Sequence, residues 1–422
     1  MRDFLPAEKA RRERILGTIR DVYRAHGFDE IETPVAEDSE RLHAGLGGDN
    51  EKLAFGILKR GLTHDDLQAA EQSLDLADLG LRYDLTVPLA RFYASHRAEL
   101  PSVFRSIQIA PVWRAERPQK GRFRQFVQCD IDVLGESGPR AEAELLVATL
   151  AAVEALGLDG AFIRVNDRRL LTGMLATFGF VTEEYDGALV TIDKLDKIAH
   201  NGVLAELRDR GYTPAAVDAL ETFFRRPTTM EFLPFGEAAI RKALPDNPDS
   251  DAVAGLVAIG EAVAAARVSD AELLRFDPFL VRGMGYYTGP IFELAHPSVD
   301  YSLGGGGRYD GMIGRFLGTD VPATGFSLGF ERLVDLVEIP AGEGAEAIAL
   351  LHDPDVDLAE LLTLKAELIA TGARVRLVAR PKNVKPTLDA LAGDGFTSFA
   401  FVDRSTTLAS ITLRSLNETP QS

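Results

Sequence analysis

The sequence contains a single cysteine, Cys129, among its 422 residues. One cysteine cannot form an internal disulfide, which favours a reducing compartment, so we expect a cytoplasmic location. The histidines are scattered without paired spacing or cysteine partners, so the sequence predicts no metal site built from protein ligands alone. Long apolar runs are also missing. The richest stretch, 145–158, is interrupted by Glu154 and is shorter than the roughly 18 residues of a membrane span, so we expect no membrane partner.

Positive charge is scarce in the chain as a whole, with 46 basic against 64 acidic residues and a formal net charge of −18. This excess argues against bulk attraction to nucleic acid or anionic membrane, although a local basic site remains compatible with it. The 46% of hydrophobic and 26% of charged residues are typical of a globular protein, which excludes disordered and fibrous classes. The length suits two or three domains.

Hydrophobic periodicity predicts one mixed sheet with a helical insertion in the first domain, 1–337. Residues 28–34 alternate apolar and polar side chains up to Pro34, a pattern typical of an edge strand. The polar, glycine-punctuated stretch 37–80 is expected to be rich in loops. Helical spacing dominates from about 160 to 275, and strand-like runs return after it.

A stretch rich in proline, glycine and glutamate at 338–346 predicts a linker. Beyond it, residues 347–422 alternate strand and helix patterns, which predicts a small α/β domain. Acidic and basic residues are nearly balanced there, so composition indicates no basic face.

A concentrated basic segment stands out, because five of the eleven residues from Arg114 to Arg124 are basic. In the strand-like run that follows, odd positions are mostly apolar, whereas Gln128, Asp130 and Asp132 share the other face. Burying unpaired charge costs several kcal/mol, so this face predicts the floor of a polar pocket beside a site for a polyanion. The alternative is a solvated hairpin without function.

An acid and a hydroxyl, Asp84 and Thr86, would share one face if the chain before Pro88 is extended. Such a pair could hold a substrate ammonium group. The alternative is a helix cap, the commoner role of these residue types before a helix.

Three later segments combine glycine with cationic or aromatic residues. Residues 280–289 place Arg282, Tyr286 and Tyr287 beside three glycines, where the alternative is a turn with core tyrosines. The glycine run 304–307 lacks the spacing of a P-loop or dinucleotide fingerprint. A strand of small residues then leads into a helix with Arg332 in its first turn. This position suits anion binding, and the alternative is a surface arginine without a ligand.

Together these segments resemble the histidyl-tRNA synthetases, a class II aminoacyl-tRNA synthetase family, from about residue 2 to 416. Gly27–Pro34 looks like class motif 1, Arg114–Gly135 like motif 2 and Gly325–Leu333 like motif 3. Leu280–Gly289 and Gly305–Gly311 look like the two histidine-specific segments, although Gly285 stands where the family usually has an aspartate.

The resemblance implies an α+β fold. Its elements are a class II synthetase-like antiparallel sheet core with flanking helices, a helical insertion, and a C-terminal α/β anticodon-binding-like domain. A homodimer is also implied.

The resemblance also assigns the site residues, with Arg114 and Arg282 as the catalytic pair. It implies that ATP is bound by Arg114, Glu116, Arg122 and Arg332, with Mg²⁺ bound mainly through the ATP phosphates. It implies that histidine is bound by Asp84, Leu85, Thr86, Arg114, Gln128, Asp132, Arg282, Tyr286, Tyr287 and Tyr309. The charge pattern adds Arg308 as a cation expected near ATP.

The implied activity is a ligase that activates L-histidine with ATP and transfers it from histidyl-adenylate to the 3′ end of tRNA(His). One alternative is a synthetase-like regulatory subunit of ATP phosphoribosyltransferase, a type that commonly lacks the C-terminal domain and the arginine at Arg282. Another is a histidine sensor without catalysis, which would not need Arg114, Arg122 and Arg332. The chain retains all of these features, which favours the enzyme.

Overall fold

The computed structural model describes residues 1–44, 54–117, 123–226, 233–267, 273–282, 286–338 and 346–416. Two compact units are present in the chain. The first comprises Met1–Arg2 with Leu16–Val337, and the second comprises Asp3–Ile15 with Glu338–Ser422. The domain boundaries and the linker expected from the sequence remain a prediction, and residues 339–345 of that linker lie outside the described residues.

The described strands and helices are numbered in chain order. The strands are β1 (Asp29–Glu30), β2 (Ala36–Asp38), β3 (Phe55–Leu58), β4 (Ala77–Leu81), β5 (Phe104–Trp113), β6 (Gln125–Leu134), β7 (Phe162–Asp167), β8 (Leu233–Pro234), β9 (Leu274–Phe276), β10 (Pro290–Ala295), β11 (Gly304–Arg308), β12 (Ala323–Gly329), β13 (Ala347–His352), β14 (Arg374–Ala379), β15 (Ser398–Val402) and β16 (Arg414–Ser415). The α-helices are α1 (Pro6–Ala25), α2 (Ser39–Ala44), α3 (His64–Ala69), α4 (Ser73–Leu76), α5 (Thr86–His96), α6 (Pro139–Ala155), α7 (Arg168–Phe178), α8 (Tyr185–Ile192), α9 (Leu195–Asp209), α10 (Pro214–Phe224), α11 (Glu237–Ala243), α12 (Ser250–Ala266), α13 (Asp310–Leu317), α14 (Phe330–Leu336), α15 (Leu358–Ala370) and α16 (Lys385–Gly393).

The first unit is built on a mixed sheet with the order β1-β5-β6-β12-β11-β10-β7-β9-β8. Every neighbouring pair from β5 through to β7 is antiparallel. The β1–β5 and β7–β9 pairs are parallel. The predicted antiparallel core is therefore confirmed, and β1 lies at the sheet edge as the pattern ending at Pro34 indicates.

The long hairpin of β5 and β6 shows why this sheet has one apolar and one polar face. Cys129, Ile131 and Val133 on β6 are fully buried, and α6 packs against β6 and β12. Successive side chains of a strand point to opposite faces, so Gln128, Asp130 and Asp132 lie on the other side. The alternation read from the sequence thus sets which face of the sheet carries the polar groups.

Between β7 and β9 the described chain is almost entirely helical, as expected. The helices α7 to α10 close around an apolar cluster that includes Leu189, Leu207, Leu220 and Phe223. Phe279 and Leu280, just after β9, belong to the same cluster and connect the insertion to the main sheet.

The expectation that residues 37–80 are rich in loops is wrong for most of the described part. Three short strands form a separate sheet with the order β2-β4-β3, joined by α2, α3 and α4. Gly80 faces the Leu42 side chain so closely that a Cβ would lie 2.9 Å from Leu42 Cδ1. The strands are short and largely exposed, so they carry little of the apolar alternation by which a strand is recognised.

The second unit contains a four-stranded sheet with the order β14-β13-β15-β16. The strand β13 alternates between two apolar clusters, one containing Leu364 of α15 and the other Leu391 of α16. Helices therefore cover both faces of a sheet whose first three strands are parallel, which confirms the predicted α/β domain. Within the described part of the whole chain, no helix is both long and apolar enough to span a bilayer.

Candidate active site

A cavity of about 410 Å³ lies over the polar face of the main sheet. The structure brings together at this cavity every predicted site residue that it describes except Leu85 and Arg308. The predicted residues that line it are Asp84, Thr86, Arg114, Glu116, Gln128, Asp132, Arg282, Tyr286, Tyr287, Tyr309 and Arg332.

Three expected residues have other outcomes. The Leu85 side chain is fully buried in the core, and its carbonyl accepts a hydrogen bond from Gln108 Nε2 at 2.9 Å. Arg122 lies outside the described residues. The expectation that Arg308 faces ATP is wrong, because the residue is only 7% exposed and its Nε donates to Glu142 Oε1 of α6 at 2.6 Å. Arg308 therefore fastens β11 to a helix.

The polar face of β6 forms the floor of the cavity, as its alternation predicts. Gln128 Nε2 donates to Ser327 Oγ of the neighbouring strand at 3.0 Å. Gln128 Oε1 is buried and has no hydrogen-bond partner among the described residues, so it can accept a hydrogen bond from a ligand. Asp132 Oδ1 accepts a hydrogen bond from the Tyr309 hydroxyl at 2.6 Å.

Asp130 and Ser327 also line this floor. The sequence places Asp130 on this face but the resemblance assigns it no role, and Ser327 was missed altogether. The signal for Asp130 was present, since it lies between Gln128 and Asp132 on the same face of β6. Ser327 could not be found in this way, because its position depends on the register that places it opposite Asp130 across β6 and β12.

The floor carries an excess of buried carboxylates. Burial raises the pKa of Asp84 to about 6 and that of Asp132 to about 7. Burial, together with the charge of Asp132, raises the pKa of Asp130 well above its ordinary value. Arg114 acts in the opposite direction on the pKa values of Asp84 and Asp130. A cationic ligand group would therefore be stabilised at this floor.

Asp84 and Thr86 reach the cavity from the start of α5. The extended conformation expected before Pro88 is wrong, because α5 begins at Thr86 and Pro88 lies in its first turn, where a missing N–H is tolerated. Asp84 Oδ1 accepts a hydrogen bond from the Val87 N–H at 3.2 Å. The same carboxylate thus caps the helix and lines the cavity.

Arginines border the cavity on several sides, and each is anchored by the protein. Arg114 Nε donates to the Tyr83 carbonyl at 2.9 Å, and its guanidinium carbon lies 5.0 Å from the centroid of the Phe126 ring. Arg282 Nε donates to Glu293 Oε2 at 2.8 Å. Arg332, in the first turn of α14 as predicted, donates to the Ser302 carbonyl. Fixed guanidinium groups of this kind suit phosphate oxygens.

Glycines in β11 and β12 let the charged groups lie close to the sheet. A Cβ on Gly325 would stand 1.9 Å from Asp132 Oδ1, and a Cβ on Gly305 would stand 2.8 Å from Arg282 Nη1. The glycine run is therefore a strand of the cavity floor. The glycines were expected to let a ligand approach the backbone closely. In the structure it is the Arg282 and Asp132 side chains that approach the glycine backbone.

Tyr286, Tyr287 and Tyr309 form an aromatic wall. The rings of Tyr286 and Tyr287 have centroids 4.3 Å apart, and Tyr309 lies edge-on to Tyr286 at 6.5 Å. Burial raises the pKa of Tyr287 to about 12, so these phenols are neutral near pH 7 and can enclose a planar ring. Gly285, which departs from the family pattern, lies outside the described residues.

The family model for histidyl-tRNA synthetase matches residues 1–333. The chain belongs to this family. It is 58% identical over 422 residues to a histidine–tRNA ligase of Leifsonia xyli subsp. xyli (strain CTCB07), covering 99% of this chain and 97% of that protein. This membership makes the protein a class II aminoacyl-tRNA synthetase and confirms the predicted family.

Solved structures agree with this assignment of the fold. The crystal structure of histidyl-tRNA synthetase from Nostoc sp. PCC 7120 superposes with a TM-score of 0.77 at 26% identity, over 98% of this chain and 93% of that one. An ATP phosphoribosyltransferase regulatory subunit/histidyl-tRNA synthetase from Bacillus halodurans gives a TM-score of 0.73 at 22% identity, over 95% of this chain and 96% of that one. At that identity the second likeness shows the fold alone.

The floor geometry leads to a stability prediction for Gly325→Ala. The added methyl group must displace the Asp132 carboxylate, and overpacking of this kind typically costs about 1–3 kcal/mol. We expect a loss of that size in the free energy of unfolding, measured by urea denaturation. Gly311→Ala in α13 is the matched control, since a Cβ there meets nothing within 4 Å and should change stability by less than about 1 kcal/mol. Equal stability of the two variants would contradict the crowded floor.

Proposed function

We propose that this protein activates L-histidine with ATP to form histidyl-adenylate and then transfers histidine to the 3′ end of tRNA(His). The observation that carries the proposal is the pairing, in one cavity, of a floor of buried carboxylates with a border of anchored arginines. An amino acid brings an ammonium group and a carboxylate, and ATP brings phosphates. The two signs of charge in the cavity match these reactants.

Histidine would lie on the β6 side of the cavity. Asp84, Thr86, Gln128 and Asp132 would hold its amino group and neighbouring atoms, and the Gln128 Oε1 without a partner is a suitable acceptor for an ammonium N–H. Tyr286 and Tyr287 would flank the imidazole, with Tyr309 beside them. The carboxylates would then be neutralised by the group that they bind, which removes much of the cost of burying them.

ATP would lie along the arginines, with Arg114 and Arg282 at the α-phosphate, Glu116 at the adenine, and Arg332 at the outer phosphates together with Arg122. A histidine carboxylate oxygen attacks the α-phosphorus and pyrophosphate leaves. A terminal ribose hydroxyl of tRNA then attacks the carbonyl carbon of the adenylate and AMP leaves. The protein forms no covalent bond in either step, and acts by positioning and by stabilising charge on phosphate oxygens.

Mg²⁺ bound mainly through the ATP phosphates is part of this proposal. One carboxylate that lines the cavity, Glu331, offers the oxygen ligands that Mg²⁺ takes, and it adjoins Arg332 in α14. When bound, the ion would neutralise part of the phosphate charge.

The second unit supports tRNA as the partner, because it carries a basic face that composition did not indicate. Arg374 and Arg376 lie over the Phe396 ring at 4.6 and 4.5 Å, and Arg380 and Arg414 lie over the Phe401 ring at 4.2 and 5.4 Å. Arg376 is paired with Asp394 and Arg380 with Asp353, whereas Arg374 and Arg414 have no acidic partner within residues 346–416. Guanidinium groups stacked on rings can contact both the phosphates and the bases of single-stranded RNA.

A homodimer and a cytoplasmic location complete the proposal. They are supported by family membership, and the cytoplasm also by the single cysteine, Cys129. The regulatory subunit of ATP phosphoribosyltransferase is less well supported, since Arg114, Arg282 and Arg332 all line the cavity.

The main test is Arg282→Ala in a histidine-dependent ATP–pyrophosphate exchange assay. Removing a group that stabilises charge in the transition state typically lowers kcat by about 10²–10³-fold, so we expect exchange to fall by that amount while the fold is retained. Arg241→Ala is the control, because Arg241 is an exposed arginine that pairs only with Glu237 of its own helix among the described residues. Unchanged exchange in Arg282→Ala would refute the assigned role.

Wild-type protein should also charge tRNA(His) in a parallel aminoacylation assay. If the protein showed neither exchange nor charging and stimulated an ATP phosphoribosyltransferase, the proposed ligase activity would be refuted in favour of the regulatory subunit.

Histidine binding should weaken as the pH falls. The raised pKa values of about 6 for Asp84 and about 7 for Asp132 mean that these carboxyls take up protons below those values, and a neutral carboxyl cannot hold an ammonium group by charge. We expect the KM for histidine in exchange to rise from pH 8 to pH 6, by up to about tenfold for each unit below the pKa of a required carboxylate.

Asp132→Asn is the control for this pH effect. It should raise the KM at pH 8 and shift the remaining pH dependence towards the lower pKa of Asp84. Titration of the substrate imidazole is common to both proteins, so superimposable profiles would contradict the role of Asp132.

The basic face of the second unit should matter for tRNA alone. We expect the double variant Arg374→Ala/Arg414→Ala to raise the KM for tRNA about tenfold or more in aminoacylation, with histidine-dependent exchange unchanged. Arg404→Ala is the control, since Arg404 pairs with Asp355 at 3.0 Å and stacks on neither phenylalanine. A parallel loss of exchange, or an unchanged KM for tRNA, would count against this face.

A further inference from the structure

Arg282 lies at the border between the active-site cavity and a network of ion pairs behind it. Its Nε and Nη2 groups both donate to Glu293 Oε2, the former at 2.8 Å, and Nη2 also donates to Ser302 Oγ. Nη1 has no hydrogen-bond partner among the described residues and lies beside Gly305, which lines the cavity. One edge of the guanidinium is thus held by the protein, and the other is available to a substrate.

Among the described residues, the Glu293 side chain reaches the active site through its contact with this arginine. It is not among the residues that line the active-site cavity, and it instead lines a separate cavity of about 320 Å³. Its side chain is 13% exposed. A role for Glu293 in the reaction would therefore be indirect.

The position of Glu293 is fixed by the sheet. On β10 it pairs in register with Arg164 on β7 and with Gly305 on β11, so three neighbouring strands place these residues in one row. Residues paired across neighbouring strands project to the same face. Gly305 has no side chain, and the guanidinium of Arg282 occupies the space above it next to Glu293.

A second arginine keeps Glu293 ionised. Glu293 Oε1 accepts a hydrogen bond from Arg164 Nη1 at 2.7 Å, and Arg164 Nε donates to Asp277 Oδ2 at 2.7 Å. Burial opposes ionisation of Glu293, but Arg282 and Arg164 together lower its pKa below the ordinary value. The row Asp277, Arg164, Glu293 and Arg282 alternates in charge, so each of the two arginines is fixed by a carboxylate of the network.

We infer that Glu293 is a positioning residue that fixes the Arg282 guanidinium for adenylate formation, with Arg164 and Asp277 holding Glu293 in place. The inference rests on the proposed function, which places Arg282 at the α-phosphate. A free arginine side chain has many rotamers, and a displacement of about 1 Å in a reacting assembly can lower the rate by about 10²-fold. Two hydrogen bonds to a carboxylate on a central strand remove that freedom.

Glu293→Gln tests the inference in the full-length protein by ATP–pyrophosphate exchange. The amide keeps the size of the side chain but cannot accept from two arginines as a charged group. We expect kcat to fall by about 10–100-fold, with the KM values for histidine and ATP within about threefold of wild type. Asp196→Asn is the control, because Asp196 is 70% exposed, pairs with Arg164 at 3.2 Å, and should leave kcat unchanged.

A double-mutant cycle separates positioning from a general structural effect. If Glu293 acts through Arg282, Glu293→Gln should lower kcat by less than about twofold when it is added to Arg282→Ala. A multiplicative further loss in that background, or a wild-type kcat in Glu293→Gln alone, would overturn the inference. Circular dichroism and melting temperature report whether each variant is folded.

A second variant covers the case in which Glu293→Gln does not fold. Glu293→Asp keeps the charge but shortens the side chain, so we expect a kcat between those of the wild type and Arg282→Ala, with the same lack of additivity. An additive loss would again overturn the inference. Wild-type protein without histidine-dependent exchange would remove the proposed function and this inference together, whereas active wild type with normal Glu293 variants removes the inference alone.

Discussion

The cavity depends on a part of the sheet that has almost no side chains. Gly305 and Gly325 lie where a methyl group would collide with the Arg282 guanidinium and the Asp132 carboxylate, respectively. Because β11 and β12 are bare at these positions, a cation from one segment and carboxylates from β6 can lie close to the backbone of one sheet. Charged groups of both signs can then border a single cavity that remains open for two reactants. The glycines of the run 304–307 are thus needed first for the packing of the protein itself, and only then for the binding of a ligand.

Local charge balance explains how an acidic protein with a net charge of −18 can still bind anions. Arg308 is paired with Glu142 inside the fold, so it contributes connectivity between β11 and α6 rather than attraction to ligands. Arg282 is fixed by Glu293 on one edge, and its Nη1 lies beside Gly305 at the cavity. In the second unit, Arg374 and Arg414 have no acidic partner among residues 346–416. Over distances beyond about 8–10 Å, salt screens the remaining acidic surface, so such local differences determine binding.

The sequence predicts best those features that depend on short-range periodicity. The two-residue alternation on β6 predicts that Gln128 and Asp132 lie on the polar face that forms the cavity floor. The strand-to-helix pattern before Arg332 is observed as β12 and α14. Features that depend on register or on distant partners could not be predicted. Ser327 reaches the floor only through the pairing of β12 with β6, and the partner of Arg308 lies 166 residues away. The short strands β2 to β4 were missed because exposed strands carry little alternation.

Asp84 shows why one residue can satisfy two competing interpretations of a sequence. Its carboxylate accepts a hydrogen bond from the Val87 N–H at the start of the helix. The same carboxylate lines the cavity, where burial raises its pKa to about 6. The cap fixes the side chain before any ligand arrives, so binding an ammonium group need not order it. The cost of this arrangement is a buried charge next to Asp130 and Asp132. Above the pKa of these carboxyls a bound cation relieves part of that cost, so the floor would favour an amino acid over a neutral analogue of the same shape.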